Sequence, residues 1–371
     1  MSIYKKWIIL SLSICVFIVA ALSTLLYIYD PLMLYHKSYF NRPITFKNMR
    51  VQDKFLIDNY DFNSIIIGSS MLRNTSAKEA NNKLDGGGWM NLSDSDLAFN
   101  ERIVILKYAL KNKEIKNIIT SFDAHNVYDV SKFDFIYNDS IFDDIQIYFN
   151  RKYILCALSF SEKESCIGRT GNVEISPTFW ADEKDKHPFS DKWALKEERY
   201  KDIFLDISSN NLKFKSNVVP RGRNIEITKN NIKRYALELI QDNPNINFYF
   251  IVPTYSRLSY KLNQYVERKN TNSFFRYKAI LQWFILEASK YPNVKIYGFD
   301  DLDYADNVSN YRDRLHYNID MNSMQLDAIK NNTHILTPQN MDSYFNTMEE
   351  KIRNYDLEPF IKKAKEALKE K

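Results

Sequence analysis

Ser64-Ile65-Ile66-Ile67-Gly68-Ser69-Ser70-Met71-Leu72-Arg73 runs a buried apolar strand into a tight Gly-Ser-Ser turn that presents a hydroxyl. Four further short apolar runs follow: Trp89–Leu92, Asn117–Phe122, Asn247–Val252 and Val294–Tyr297. Helical spacing fills the gaps, at Glu101–Lys111 (Ile103, Ile105, Leu106, Tyr108, Leu110), Asn230–Ile240 and Ser273–Ser289. Strands alternating with helices predict an α/β fold, a parallel sheet flanked by helices on both faces.

The segment from Val130 to about Arg223 breaks this rhythm, being aromatic, charged and punctuated by Pro177, Pro188 and Pro220. At roughly ninety residues it is too long for an ordinary connection and predicts an insertion that shapes a substrate site. The alternative is an excursion with no substrate contact. The tail from Met341 places Leu357, Ile361, Ala364 and Leu368 on one stripe of a charged helix, which predicts packing against the domain. A partner helix or a membrane surface is the other reading of that stripe.

Location is written at the front. Trp7 to Tyr29 is 23 residues without a charge, preceded by Lys5 and Lys6 and followed by Asp30. At ~1.5 Å per residue that length crosses a ~30 Å bilayer core, and the flanking charges place the N-terminus in the cytoplasm. A cleaved signal peptide is the alternative, although its apolar part is ordinarily ~7–15 residues and no Ala-x-Ala site follows. The expected organisation is a cytoplasmic end (1–6), a transmembrane anchor (7–29), a connector (30–60), an α/β domain (61–335) holding the insertion, and a helical tail (336–371).

Composition bounds the rest. The chain has 371 residues, 45% hydrophobic and 15% aromatic, enough for a substantial core, and a net charge of +5 with no basic run. Nucleic acid is therefore not an expected partner. Of three cysteines, Cys15 lies in the apolar stretch. Cys156 and Cys166 would face an oxidising compartment, either bridged or as free thiols. Gly86-Gly87-Gly88 lacks the Gly-Lys-Ser/Thr of a phosphate loop and reads as a turn into the second strand.

Near the other end, Asp313-Arg314-Leu315-His316 places a carboxylate three residues before an imidazole. With Ser70 this completes the residue set of a serine nucleophile, its general base and the base's orienting carboxylate. The Ser70 N–H is a candidate oxyanion donor, and Gly68 permits the close turn. Arg73 is a candidate for an anionic substrate, with a solvated arginine as the alternative. Asp123, His125 and Asp129 form a rival, hard-metal constellation, though a position beside the same cleft explains them without a metal. No cofactor or metal is expected. His36, His187 and His334 have no partner spacing and read as surface or packing residues.

Together, Gly68-Ser69-Ser70-Met71 and Asp313-Arg314-Leu315-His316 resemble the SGNH (GDSL-like) hydrolase superfamily over roughly residues 60–335, apart from the insertion. The resemblance implies a flavodoxin-like three-layer sandwich and a serine esterase mechanism. With the N-terminal anchor and Asn91-Leu92-Ser93-Asp94-Ser95, the chain looks more narrowly like a membrane-bound branch. That branch includes proteins acting with membrane O-acyltransferases in teichoic acid D-alanylation and in O-acetylation of exported polysaccharides. The implied activity is an extracytoplasmic esterase or O-acyltransferase on a cell-surface glycan, with an acylated glycan or acyl carrier as substrate and a membrane O-acyltransferase as partner. Ser69 replaces the family's usual Asp. No glycine stands near Ser93–Asp96 to donate a second oxyanion N–H, and Asn126, the one amide near the third-block position, is the oxyanion candidate that the resemblance implies beside Ser70. A reading of another class follows from that gap, a catalytically silent anchored component that binds glycan or a membrane acyltransferase.

Overall fold

Parallel strands covered on both faces are buried along their length and centre on apolar runs: all four residues of Ser64–Ile67 and all five of Asn117–Ser121 are buried. Ile65–Ile67 and Ile118–Ile119 lie at their centres, and the polar Ser64 and Asn117 are hydrogen-bonded to each other at one end. In the computed structural model, which describes residues 2–37, 44–123, 133–138, 140–178, 198–214, 222–265 and 274–369, the strands are β1 (Thr45–Phe46), β2 (Ser64–Ile67), β3 (Trp89–Asn91), β4 (Asn117–Ser121), β5 (Arg169–Thr170), β6 (Asn247–Ile251), β7 (Val294–Tyr297) and β8 (Ile335–Leu336). Six of them form one sheet in the order β3-β2-β4-β6-β7-β8. Its first five strands are parallel, with Ile66 opposite both Asn91 and Ile119, and Phe250 opposite Ile296.

Helices cover both faces of this sheet. Ile66, Ile119, Ile251 and Tyr297 share a buried cluster with Ala77 and Ala80 of the helix Ala77–Lys83, and with Leu326 and Ile329 of the helix Ile319–Asn331. On the opposite face Phe284, from the helix Phe274–Ala288, stacks on Phe122 at 4.4 Å and meets Phe250 edge-on at 4.9 Å. The chain steps from β2 outward to β3, then returns to β4 on the other side of β2. The carboxyl end of β2 is therefore the switch point where open α/β sheets form their crevice.

The sheet belongs to one of two units into which the chain divides, residues 62–103, 114–130 and 173–371. The other unit comprises residues 1–61, 104–113 and 131–172. It contains the helix Ile3–Tyr29, which is long and apolar enough to cross a membrane. Asp30 ends that helix in a left-handed conformation, its N–H donating to Leu26 O and its carboxylate accepting the Leu34 and Tyr35 N–H groups. Leu26 and Tyr29 are buried with Tyr148, Cys156, Ala157 and Cys166. Cys156 and Cys166 form a disulfide, and β1 pairs antiparallel with β5.

Four expectations need amendment. The sheet is not wholly parallel, because β8 adds antiparallel to β7. The helix expected over Asn230–Ile240 is part of a longer run, Gly222–Asp242, with a π-helical stretch at Lys233–Leu237. The tail is two helices, Met341–Asn354 and Glu358–Lys369. Ile361 and Ala364 of the second are buried with Phe204 of the helix Glu198–Ser208, and Phe360 stacks on Phe204. Residues 30–60 hold a buried helix, Met49–Asn59, whose Lys54 pairs with Asp144 at 2.7 Å.

Candidate active site

Ser70 lies three residues beyond β2, partly exposed, at the start of a turn that precedes the helix Ala77–Lys83. It is not itself a helix N-terminus; Ser76 caps that helix by accepting the Glu79 N–H at 3.1 Å. Gly68 is required by a close approach rather than by its backbone angles. A Cβ there would stand 2.6 Å from Ser121 Oγ and 2.9 Å from Leu72 Cδ1.

His316 Nε2 stands 2.8 Å from Ser70 Oγ, although 246 residues separate them in sequence, and His316 Nδ1 stands 2.7 Å from Asp313 Oδ2. The other carboxylate oxygen, Asp313 Oδ1, accepts the backbone N–H groups of Leu315 and His316 at 2.8 and 2.9 Å. Burial pushes the Asp313 carboxyl up, but the His316 hydrogen bond and charge, with those two N–H groups, outweigh it and hold the group below its ordinary value. A neutral His316 that donates Nδ1–H to Asp313 keeps a lone pair on Nε2, facing the serine hydroxyl.

The loop carrying Asp313 and His316 is held at both ends. Tyr311 and Tyr317 form an antiparallel bridge, and Arg312 N–H donates to His316 O at 2.8 Å. Tyr311 OH donates to Thr254 O and Ser256 Oγ to Arg314 O, tying the loop to the segment after β6. From the other side Tyr317 OH and Asn322 Nδ2 both donate to Met71 O, at 2.9 and 3.0 Å. Those two bonds couple the residue after the serine to the residues after the histidine. No motif in the sequence marks Tyr317, Asn322, Thr254 or Ser256 for this task.

Beneath the serine turn lies a buried ionic network. Arg102 pairs with Asp123, both almost fully buried, and also donates to Leu97 O and Ser121 O. Ser69 Oγ donates to Asp123 Oδ1 at 3.0 Å, and Ser69 N–H to Ser121 Oγ at 3.1 Å. Ser121 Oγ also donates to Asp123 Oδ2, so Asp123 is engaged by an arginine and two serines. No group of three or more potential metal-binding side chains occurs among the described residues. His125, Asn126, Asp129 and His187 lie outside the described residues.

Arg73, a candidate for an anionic substrate, is half-buried and hydrogen-bonded within the protein. Its Nε and Nη2 donate to Thr178 Oγ1 and O at 3.0 and 2.8 Å, its Nη1 donates to Ser95 Oγ, and burial lowers its pKa. Through Thr178 this arginine holds part of the expected insertion beside the serine turn, and Ala77 N–H donates to Ile175 O there. At Ser93–Ser95, the segment in which the resemblance implies a second oxyanion donor, Ser93 N–H donates to Asn91 Oδ1, Asp94 N–H to Gly68 O, and Ser95 N–H to the Asp94 carboxylate. The Gly86-Gly87-Gly88 stretch is a turn with all three φ angles positive, leading into β3.

Just past β7, Asp300 is fully buried and accepts hydroxyls from Tyr344 and Tyr277 at 2.9 and 3.2 Å. Burial pushes its carboxyl up to about 7, against the opposing pull of Arg257 and the two tyrosines. Since the unfolded group titrates near ~3.9, the folded state binds the extra proton between about pH 4 and pH 7. We therefore predict that stability declines as pH rises through that window and levels off above it. Urea midpoints across the window should slope downward in the native chain and flatten in Asp300→Asn; equal slopes in both would refute the assignment.

No protein-family model matches the sequence, and no curated protein matches it. A search of solved structures finds a chain from Streptococcus pneumonia described as a candidate platelet activating factor, at 13% identity and a TM-score of 0.40. The match covers 76% of this chain and 90% of that one.

Proposed function

We propose that this chain is a serine esterase or O-acyltransferase of the SGNH-like kind, acting outside the cytoplasm on an acylated surface glycan. The observation that carries the reading is the unbroken line from Ser70 Oγ through His316 to Asp313. In the proposed reaction His316 Nε2 takes the Ser70 proton as Oγ bonds to the acyl carbon. The tetrahedral oxyanion collapses, the ester C–O bond breaks, and His316 returns the proton to the leaving alcohol. Water or a sugar hydroxyl, deprotonated by His316, then attacks the acyl-enzyme; the acyl–Oγ bond breaks and His316 returns the proton to Ser70 Oγ. The Ser70 N–H, which makes no hydrogen bond among the described residues, is the oxyanion donor in this scheme. The Asp313 charge balances the imidazolium formed in each step.

The anchor is retained in this reading, because cleavage after the apolar helix would strip Leu26 and Tyr29 from a core in which both are buried. The positive charges before the helix put the α/β unit on the outer side. One observation favours the other class, a silent glycan-binding or assembly component that partners a membrane O-acyltransferase: the amides at Ser93–Ser95 are already engaged. A fluorophosphonate probe separates the two. An activated serine attacks the phosphorus and carries the tag covalently, so label is expected on native protein and absent from Ser70→Ala. A folded native chain that takes no label would favour the silent component.

A further inference from the structure

The unit built on the end of the apolar helix carries an apolar surface that ester chemistry does not use. In the helix Arg151–Leu158, Cys156 and Ala157 face the buried cluster with Leu26 and Tyr29, whereas Leu155 and Leu158 are 54% and 64% exposed. Phe160, just beyond, is 54% exposed, and its ring meets Tyr29 edge-on at 5.9 Å. Tyr29 OH donates to Ser161 O at 2.5 Å, so the exposed residues are fixed to the last turn of the apolar helix.

That attachment sets their level. The uncharged stretch from Trp7 to Tyr29 rises ~34 Å at ~1.5 Å per residue, slightly more than a ~30 Å hydrocarbon core. Trp7 and the Tyr27/Tyr29 pair then fall at the two headgroup levels, where amphipathic rings are favoured. Phe160, touching Tyr29, lies at the outer boundary, and Leu155 and Leu158 are exposed on the helix that ends two residues before it. Three large apolar side chains left in water beside a membrane-spanning helix have one occupant of matching chemistry at hand.

We propose that Leu155, Leu158 and Phe160 enter the headgroup–acyl boundary of the bilayer that Ile3–Tyr29 spans, so that this unit rests on the membrane as well as being tethered to it. The proposal depends on the membrane-spanning reading of that helix. The test uses the full chain, one copy per lipid nanodisc of phosphatidylcholine and phosphatidylglycerol, with nitroxides read by electron paramagnetic resonance. One label goes on native Cys15, the free cysteine within the helix. Another goes on an encoded p-acetylphenylalanine replacing Leu158, which leaves the disulfide untouched, and a third on the same residue replacing exposed Asp61.

At 158 the label is expected to collide with dissolved oxygen more often than with a water-soluble nickel chelate, as at Cys15 but less strongly, with the reverse at 61. A label at 158 that behaves like 61 while Cys15 stays in lipid overturns the proposal and leaves the anchor standing. Shielding of 158 from both reagents would point to protein contact and also overturn it. A water-exposed label at Cys15 would instead overturn the spanning reading beneath it.

Discussion

Ser70→Ala is expected to lower ester turnover by roughly a million-fold, the scale seen when an activated serine is removed from a base with which it acts as a unit. Combining it with His316→Ala should cost little more, because neither residue does its work without the other. Asp313→Asn is expected to cost about 10⁴-fold. The amide can turn an N–H toward Nδ1, forcing the imidazole into the tautomer that carries its proton on Nε2 and cannot accept from Ser70. The carboxylate also accepts two backbone N–H groups, so part of the loss would come from the loop itself. Steady-state kcat/KM on p-nitrophenyl acetate, with circular dichroism to confirm folding, measures all three. Native-like turnover by folded Ser70→Ala would remove the serine from the mechanism.

Arg102→Met carries the second large effect. Arg102 and Asp123 are 2% and 1% exposed, and removing the cation leaves a carboxylate buried without its counter-charge. Breaking one side of such a pair costs ~3–5 kcal/mol, whereas removing both charges costs much less. The expected pattern is a large fall in the urea midpoint for Arg102→Met and substantial recovery in Arg102→Met with Asp123→Asn. Turnover should fall in the single variant as well, since Ser69 hangs from Asp123 and Ser121 and sits next to Ser70. If Arg102→Met leaves both midpoint and turnover unchanged, the network does not support the serine turn.

The parts of this fold that could be read in advance are those where one physical demand fixes the residue type. Ile65, Ile66 and Ile67 are apolar on both faces because the strand is covered on both, and so they stand out as a run. Gly68 and Ser70 stand out because a tight turn follows that run. Asp313 and His316 stand out because three residues of separation let the carboxylate reach Nδ1. Arg102 gave no such signal. It sits among Ile103, Ile105 and Leu106 like any charged residue on an amphipathic helix, and its partner is 21 residues away. The stretch 30–60 lacks a sequence signal for a similar reason. Gln52, Asp53 and Lys54 look like surface residues yet are buried. Gln52 accepts the Lys47 and Asn48 N–H groups and donates to Thr45 O, and Lys54 meets Asp144 ninety residues on. Only tertiary structure reveals such pairings. Two-residue strands such as β8 leave no periodicity to count.

The most direct measurement is to mix the full chain with p-nitrophenyl acetate, quench in acid within the first turnovers and map acetyl groups by peptide mass spectrometry. The account predicts one acetyl group on the peptide containing Ser70 in native protein, none there in Ser70→Ala, and greatly reduced uptake in His316→Ala. Ester cleavage by the folded native chain that never places an acetyl group on Ser70 would contradict it.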